Sequence, residues 1–436
     1  MLPVVLQQLI TIGINLLDNI MIGGLGEETI AAASFGNQFF ALFQFVCMGL
    51  GSGSIVMSSQ FWGRGEIEPL RETAALALKV TILCCAAFSA VAVAFPAFIL
   101  RLFTDDINVI IAGKPYLRLV GLTYIISGVS STCTYLIRSV GSVRVPLISS
   151  VFAFFVNLFF NWVFIFGKLG APALGIVGAA LGTIIARTAE FIIIFGFFIF
   201  KEDRFAFRFR HFALSGKRIS AQYIHYSMPV LISDTLLGLS LSVTTGIVGH
   251  MSADISAANA IVNTMIQCLS VLNMGMAGAS AIAIGNSIGE GNLQKAKAEG
   301  NCYILLSMLF GAFLILILWL LEAPYFSLYS IKAETLSIAH SMVLVNAIFL
   351  PVQCMAYVTS KGVLRGGGDT RFLLLADSSL IWLLSIPLGA LAGLVWHLSA
   401  FWVYFFLRLE YPLKGIVCLI RYCTGKWIKV IRVNSN

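Results

Sequence analysis

From Leu2 to Ile420 the chain is a succession of apolar runs about twenty residues long or longer, separated by short polar stretches. A hydrocarbon core of roughly 30 Å is crossed by about 20 helical residues. Inside it no water is available to the backbone, so only helices and closed barrels cross. The template fits twelve spans, near residues 3–22, 31–58, 73–100, 115–137, 146–167, 174–200, 223–248, 256–288, 298–320, 336–360, 372–394 and 398–420. Barrel strands would alternate apolar and polar residues over about ten positions, and no such segments are present. Composition agrees: 11% of residues are charged, against about 25% in an average soluble domain. That deficit leaves too little polar surface for a soluble protein, so a soluble enzyme, a disordered chain and a nucleic-acid binder are excluded. An all-α polytopic membrane protein is predicted. The first run has no basic region ahead of it and reads as a span, not a cleavable signal. The nine cysteines fall almost entirely inside apolar runs, without a CxxC or a Cys/His cluster. They read as small apolar fillers, and no metal is expected on them.

Lysine and arginine orient the spans. With the N-terminus inside, the cytoplasmic connections and tail hold nineteen of them, including Arg64, Arg138, Arg204, Arg208, Arg210, Lys361, Arg365 and Arg421, while the outer side holds only Arg101, Lys114, Arg118, Lys168 and Lys332. Cytoplasmic loops are enriched in positive residues, so both termini are expected in the cytoplasm and the net charge of +8 reflects topology.

The two halves also repeat. Met48-Gly-Leu-Gly-Ser-Gly-Ser54 matches Met274-Gly-Met-Ala-Gly-Ala-Ser280, and Arg138-Ser-Val-Gly-Ser-Val-Arg144 matches Arg365-Gly-Gly-Gly-Asp-Thr-Arg371. Ile30-Ala-Ala-Ala33 likewise matches Ile255-Ser-Ala-Ala258, and Pro3 pairs with Pro229. A nearly constant shift across most of each half is the mark of an internal repeat. Six helices per repeat make the copies parallel, a plan of secondary transporters that bind substrate between halves. The expected domains are an N-lobe at 1–200, a charged cytoplasmic linker at 201–222 and a C-lobe at 223–436 ending in a short basic tail, the lobes being related by a pseudo-two-fold axis.

Leu364-Arg-Gly-Gly-Gly-Asp-Thr370 after the tenth span and Gly175-Ile-Val-Gly-Ala-Ala180 opening the sixth resemble segments of the multidrug and toxic compound extrusion (MATE) transporters. Further resembling stretches lie at Pro3–Gly26, Gly49–Glu66, Asn157–Gly167 and Met228–Gly249, in order along the whole chain. The resemblance implies an antiporter in a bacterial plasma membrane that exports amphipathic, often cationic compounds by alternating access in exchange for H⁺ or Na⁺. It implies a monomer, neither an enzyme nor a nucleic-acid binder, with no cofactor beyond the coupling ion. A GxxxxGK[ST] nucleotide loop is also missing from the sequence.

Ionisable residues inside the bilayer cost at least about 2.5–3.5 kcal/mol and mark functional candidates. Asp18 lies in the first span, with Thr11 and Asn15 on its helical face; Asn157 and Asn161 are four apart in the fifth. Hard cations prefer oxygen ligands, so such a group can hold Na⁺, and a carboxyl group can equally carry a proton. The resemblance carries the family's N-lobe cation site to Asp18, Asn157, Asn161 (where many relatives have Asp) and Thr183. It also makes Pro3 the counterpart of a proline at which some relatives bend the first helix. Asn15 and Asn19 read as interhelical glue. In the C-lobe, Asp234 and Asp377 are candidates for a second proton or substrate-charge site, or for pairing with Arg or Lys. Late in span ten, where some branches carry an acid, the chain reads Gln353-Cys354-Met355-Ala356-Tyr357. Arg187 and Glu190, three apart in the sixth span, are expected to pair. Arg408, Glu410 and Lys414 in the twelfth are expected to pair locally or snorkel.

Two other readings stand beside the exporter. A lipid-linked oligosaccharide flippase of similar architecture would need a cationic central cavity, whereas most Lys and Arg here fall in connections. A membrane-embedded transferase would need clustered catalytic residues at one membrane face, and none is found.

Overall fold

The computed structural model describes residues 2–22, 27–214, 216–327, 329 and 332–432, apart from some side chains within the helices. Among the described residues twelve long helical stretches, spans one to twelve, follow one another: Leu2–Ile22, Glu27–Arg64, Ile67–Ala94, Ile107–Leu122 with Tyr124–Ser139, Arg144–Phe166, Ile176–Phe200, Lys217–Gly249, Ala253–Gly289, Leu293–Phe326, Ala333–Tyr357 with Val358–Leu364, Thr370–Ser379 running on to Leu391–Val395, and Ala400–Arg408 with Glu410–Cys423. Among the described residues nine helices are long and apolar enough to cross a membrane, and the fourth pair, bent by 44°, makes a tenth. No strand occurs among the described residues. The protein is an all-helical, multi-pass membrane protein.

The boundaries that differ from expectation have local causes. Span three stops at Ala94 because Pro96 cannot donate a backbone bond and holds Phe95 out of helical geometry (φ −123°, ψ 46°); Pro96–Arg101 then forms its own short helix. Span four begins eight residues earlier than the apolar pattern suggests. Asp106 caps it there, its carboxylate accepting from the Asn108 amide at 2.9 Å, which satisfies one of the orphan donors of a helix start.

Contacts divide the chain into two compact units, one comprising Leu2–Ser58 and Glu66–Ile224, the other Ser59–Gly65 and His225–Arg432. In the first, span five lies along span six and span one along span five. Small residues let helices approach closely in a bilayer. A methyl group at Gly178 would strike the Phe164 carbonyl, and one at Gly182 would strike the Asn161 side chain. Gly167 ends span five in the left-handed region (φ 65°, ψ 44°), as helix-terminating glycines do.

The second unit is distinguished by widened, π-helical turns at Val358–Leu364, Leu380–Ser385 and Leu391–Val395. It also takes in the tail. Trp427 is fully buried, stacked on Tyr422 in the space left by Gly367, where a methyl group would meet the indole. The Lys429 amide donates to the Gly367 carbonyl at 2.7 Å, and the Gln60 side chain bonds both Lys429 and Ile431.

Candidate functional site

Close packing of spans five and six determines what Asp18 faces. Gly182 presses against Asn161, and the Asn161 amide nitrogen donates to Asp18 Oδ1 at 2.5 Å and to Asn157 Oδ1 at 3.3 Å. Asn157 and Asn161 are almost wholly buried. Asn161 Oδ1 is buried without a hydrogen bond, although such a group ordinarily finds a partner. The side chains of Asn15 and Asn19 lie outside the described residues.

Beside Asp18 is a cavity lined by Asp18, Asn157 and Thr183, together with Asn37, Phe40, Tyr116 and Arg187. The cavity has a volume of about 30 Å³, against roughly 10–15 Å³ for one water. Tyr116 donates to Asn37 Oδ1 at 2.9 Å. Arg187 donates to Glu190 Oε2 at 2.9 Å, and its guanidinium carbon lies 5.7 Å from the centre of the Phe40 ring, within cation–π range. Glu190 accepts on its other oxygen from Ser150 at 3.4 Å. Asp18, Asn157, Asn161 and Thr183 are thus brought together, and Arg187, expected to pair with Glu190, joins Asp18, Asn157 and Thr183 on the cavity wall. Asn37, Phe40 and Tyr116 escaped sequence reasoning. Asn37 could have been found as a lone amide inside an apolar run; nothing distinguishes Phe40 or Tyr116 from the other aromatic residues.

Pro3 is carried on span one.

Asp234 and Asp377 meet through a buried lysine. Lys361 Nζ is 2.8 Å from Asp234 and 2.7 Å from Asp377, and it donates to Ser233 at 3.0 Å. Arg365 binds Asp234 through two bonds of 3.0 and 2.7 Å. Lys414 Nζ is 2.7 Å from Asp377, and Ser233 donates to Asp377 at 2.9 Å. Lys361 and Arg365, counted above in a cytoplasmic connection, are carried on span ten and its continuation and are buried. Lys414 reaches across to span eleven and does not snorkel, and Arg408 bonds the Tyr411 hydroxyl at 2.7 Å. Among the described residues no group of three His, Cys, Asp or Glu is placed to hold a metal ion.

The MatE family model matches residues 3–163 and 229–391. "Probable multidrug resistance protein YoeA" of Bacillus subtilis is 25% identical over 84% of this chain and 79% of its own length. "Probable multidrug resistance protein NorM" of Neisseria meningitidis serogroup B is 23% identical over 98% of this chain and 94% of its own. Among solved structures, a MOP superfamily transporter from Pyrococcus furiosus superposes with a TM-score of 0.88 at 18% identity, over 97% of this chain and 94% of that one. The Vibrio cholerae MATE transporter VcmN, solved as a point mutant, gives 0.87 at 18% identity over the same shares.

Proposed function

Because the chain belongs to the MatE family, we propose that it is a proton-coupled multidrug exporter of a bacterial plasma membrane, with Asp18 carrying the coupling proton. Its relatives are named as multidrug resistance proteins, which supports drug efflux. The observation that carries the choice of ion is the surroundings of Asp18. Asn161 holds the carboxylate through its NH₂ group, and the Asn37 oxygen already accepts from the Tyr116 hydroxyl. A guanidinium shares the cavity wall. A sodium ion needs a shell of oxygens, whereas a proton needs one carboxyl oxygen. Thr183 and Asn157 complete the site as hydrogen-bond partners of the two protonation states. Pro3 is the point at which the first span would bend as the site loads. Asp234 and Asp377, each held by two cations, support a structural role in the C-lobe.

Proteoliposomes loaded with ethidium test the reading. A pH gradient alone is expected to drive efflux, a Na⁺ gradient alone to drive none, and Asp18→Asn to abolish it. Efflux driven by Na⁺ without a pH gradient would overturn proton coupling. No efflux under either gradient would favour the oligosaccharide flippase.

A further inference from the structure

Arg187 occupies a place that an organic cation would suit. Its guanidinium lies over the face of Phe40 and is neutralised by Glu190, so a flat ring and a carboxylate together hold a planar positive group. An aromatic face and a desolvated acid are what an amphipathic cation requires. The pair is mostly out of water, each side chain being 15% exposed. Arg187 and Phe40 also line the cavity that Asp18 lines, so the guanidinium has two carboxylates near it: Glu190, which it now holds, and Asp18, which Asn161 holds.

We propose that Arg187 is an internal stand-in for the exported cation, competing with it for Phe40 and Glu190, and that the charge on Asp18 decides which of the two holds them. This rests on Asp18 being the proton carrier. When Asp18 is ionised it attracts the guanidinium, the ring and Glu190 are left open, and the drug cation takes them. When Asp18 is protonated that attraction is lost, Arg187 returns to Glu190 and the drug is displaced. The arrangement in the structure, with Arg187 on Glu190, is the drug-displaced one. One proton enters as one organic cation leaves, so the charge inside the lobe is conserved. Among the described residues, the polar groups around Asp18 are Asn157 and Asn161 from span five, Thr183 and Arg187 from span six, Tyr116 from span four and Asn37 from span two. Arg187 is the cation of this set and is a positioning residue for the exchange.

Ethidium binding to the detergent-purified protein, followed by fluorescence anisotropy from about pH 8 to about pH 6, separates this from a structural ion pair. In the unaltered protein the affinity is expected to fall about tenfold with acidification, a coupling of ordinary size. Arg187→Gln is expected to bind tightly at both ends of the range, changing less than about twofold, because the competitor is gone. Asp18→Asn is expected to bind weakly throughout, and the double variant to behave as Arg187→Gln does. Should Arg187→Gln keep the tenfold slope, the inference falls; should Asp18→Asn keep it, the assignment of the proton to Asp18 falls instead. Phe40→Trp leaves every charge in place and so guards against misfolding of Arg187→Gln. Its extra emission over the parent protein is expected to shift with pH in the absence of drug as the guanidinium leaves the indole, and not to shift when combined with Asp18→Asn. A pH-independent signal from Phe40→Trp alone would also overturn the inference.

Discussion

At the scale of single residues, the difference between the two acidic centres lies in what surrounds them. Asp18 is held by asparagine amides and shares a cavity with a guanidinium already bonded elsewhere, so its charge can change without breaking an ion pair. Asp234 and Asp377 are locked, both touching Lys361 and each having a further cation of its own. Removing one partner of a buried ion pair leaves an uncompensated charge at a cost of about 3–5 kcal/mol. Lys361→Met is therefore expected to destabilise the purified protein by about that much and to lower its thermal midpoint, and an unchanged midpoint would show that the network contributes no stability. Asp18 and its two asparagines were legible in the sequence because polar groups stand out within apolar spans and because the family resemblance joins the two spans in one site. The partners of Asp234 and Asp377 were not. Lys361 and Arg365 look like residues of a positive connection until the helix is seen to run on through widened turns and carry them inside, a geometry often found at functional positions.

At the scale of elements, two segments that read as plain basic connections are built structures. The tail is anchored by Trp427, and truncating a fully buried Trp costs about 3–5 kcal/mol. Trp427→Ala is thus expected to free the Lys429 and Ile431 amides, which donate to Gly367 and Gln60, and to speed their hydrogen exchange; protection equal to the parent's would refute the anchoring role. The linker after span six is capped by His211, which is buried and whose Nδ1 accepts from the Arg208 amide at 2.9 Å. Burial, and then Arg71, Arg210 and Arg208, hold its pKa below the usual 6.5. Below pH 6.5 the unfolded linker therefore binds more protons than the folded one. The cap's contribution is full above that value and is lost as the solution is acidified. Protection of the amides across Arg208–Ala213, taken relative to their intrinsic exchange, should fall between about pH 7.5 and about pH 5.5, and His211→Ala should remove that dependence. An equal pH response in His211→Ala would place the titrating group elsewhere.

At the scale of the whole molecule, the surplus of Lys and Arg in one set of connections predicts both termini in the cytoplasm, and the bias does not depend on Lys361 and Arg365. With the other cysteines replaced, Cys423, which is exposed at the end of the last helix, should react with an impermeant thiol reagent only in inside-out vesicles. Lys168→Cys should react only in right-side-out ones; the reverse pattern would invert the topology. The number, order and helical nature of the spans were readable from the chain because a bilayer imposes length and hydrophobicity on every crossing segment separately, and each segment carries its own signature. The family was readable because its glycine-rich motifs are local strings. The closing of Asn161 onto Asp18, the meeting of Asp234 and Asp377 at Lys361, the seating of Arg187 on Phe40 and the burial of Trp427 were decided only in three dimensions. Each joins residues far apart in the chain or on different faces of neighbouring helices, and which side chains converge depends on where small residues let helices close and where their turns widen.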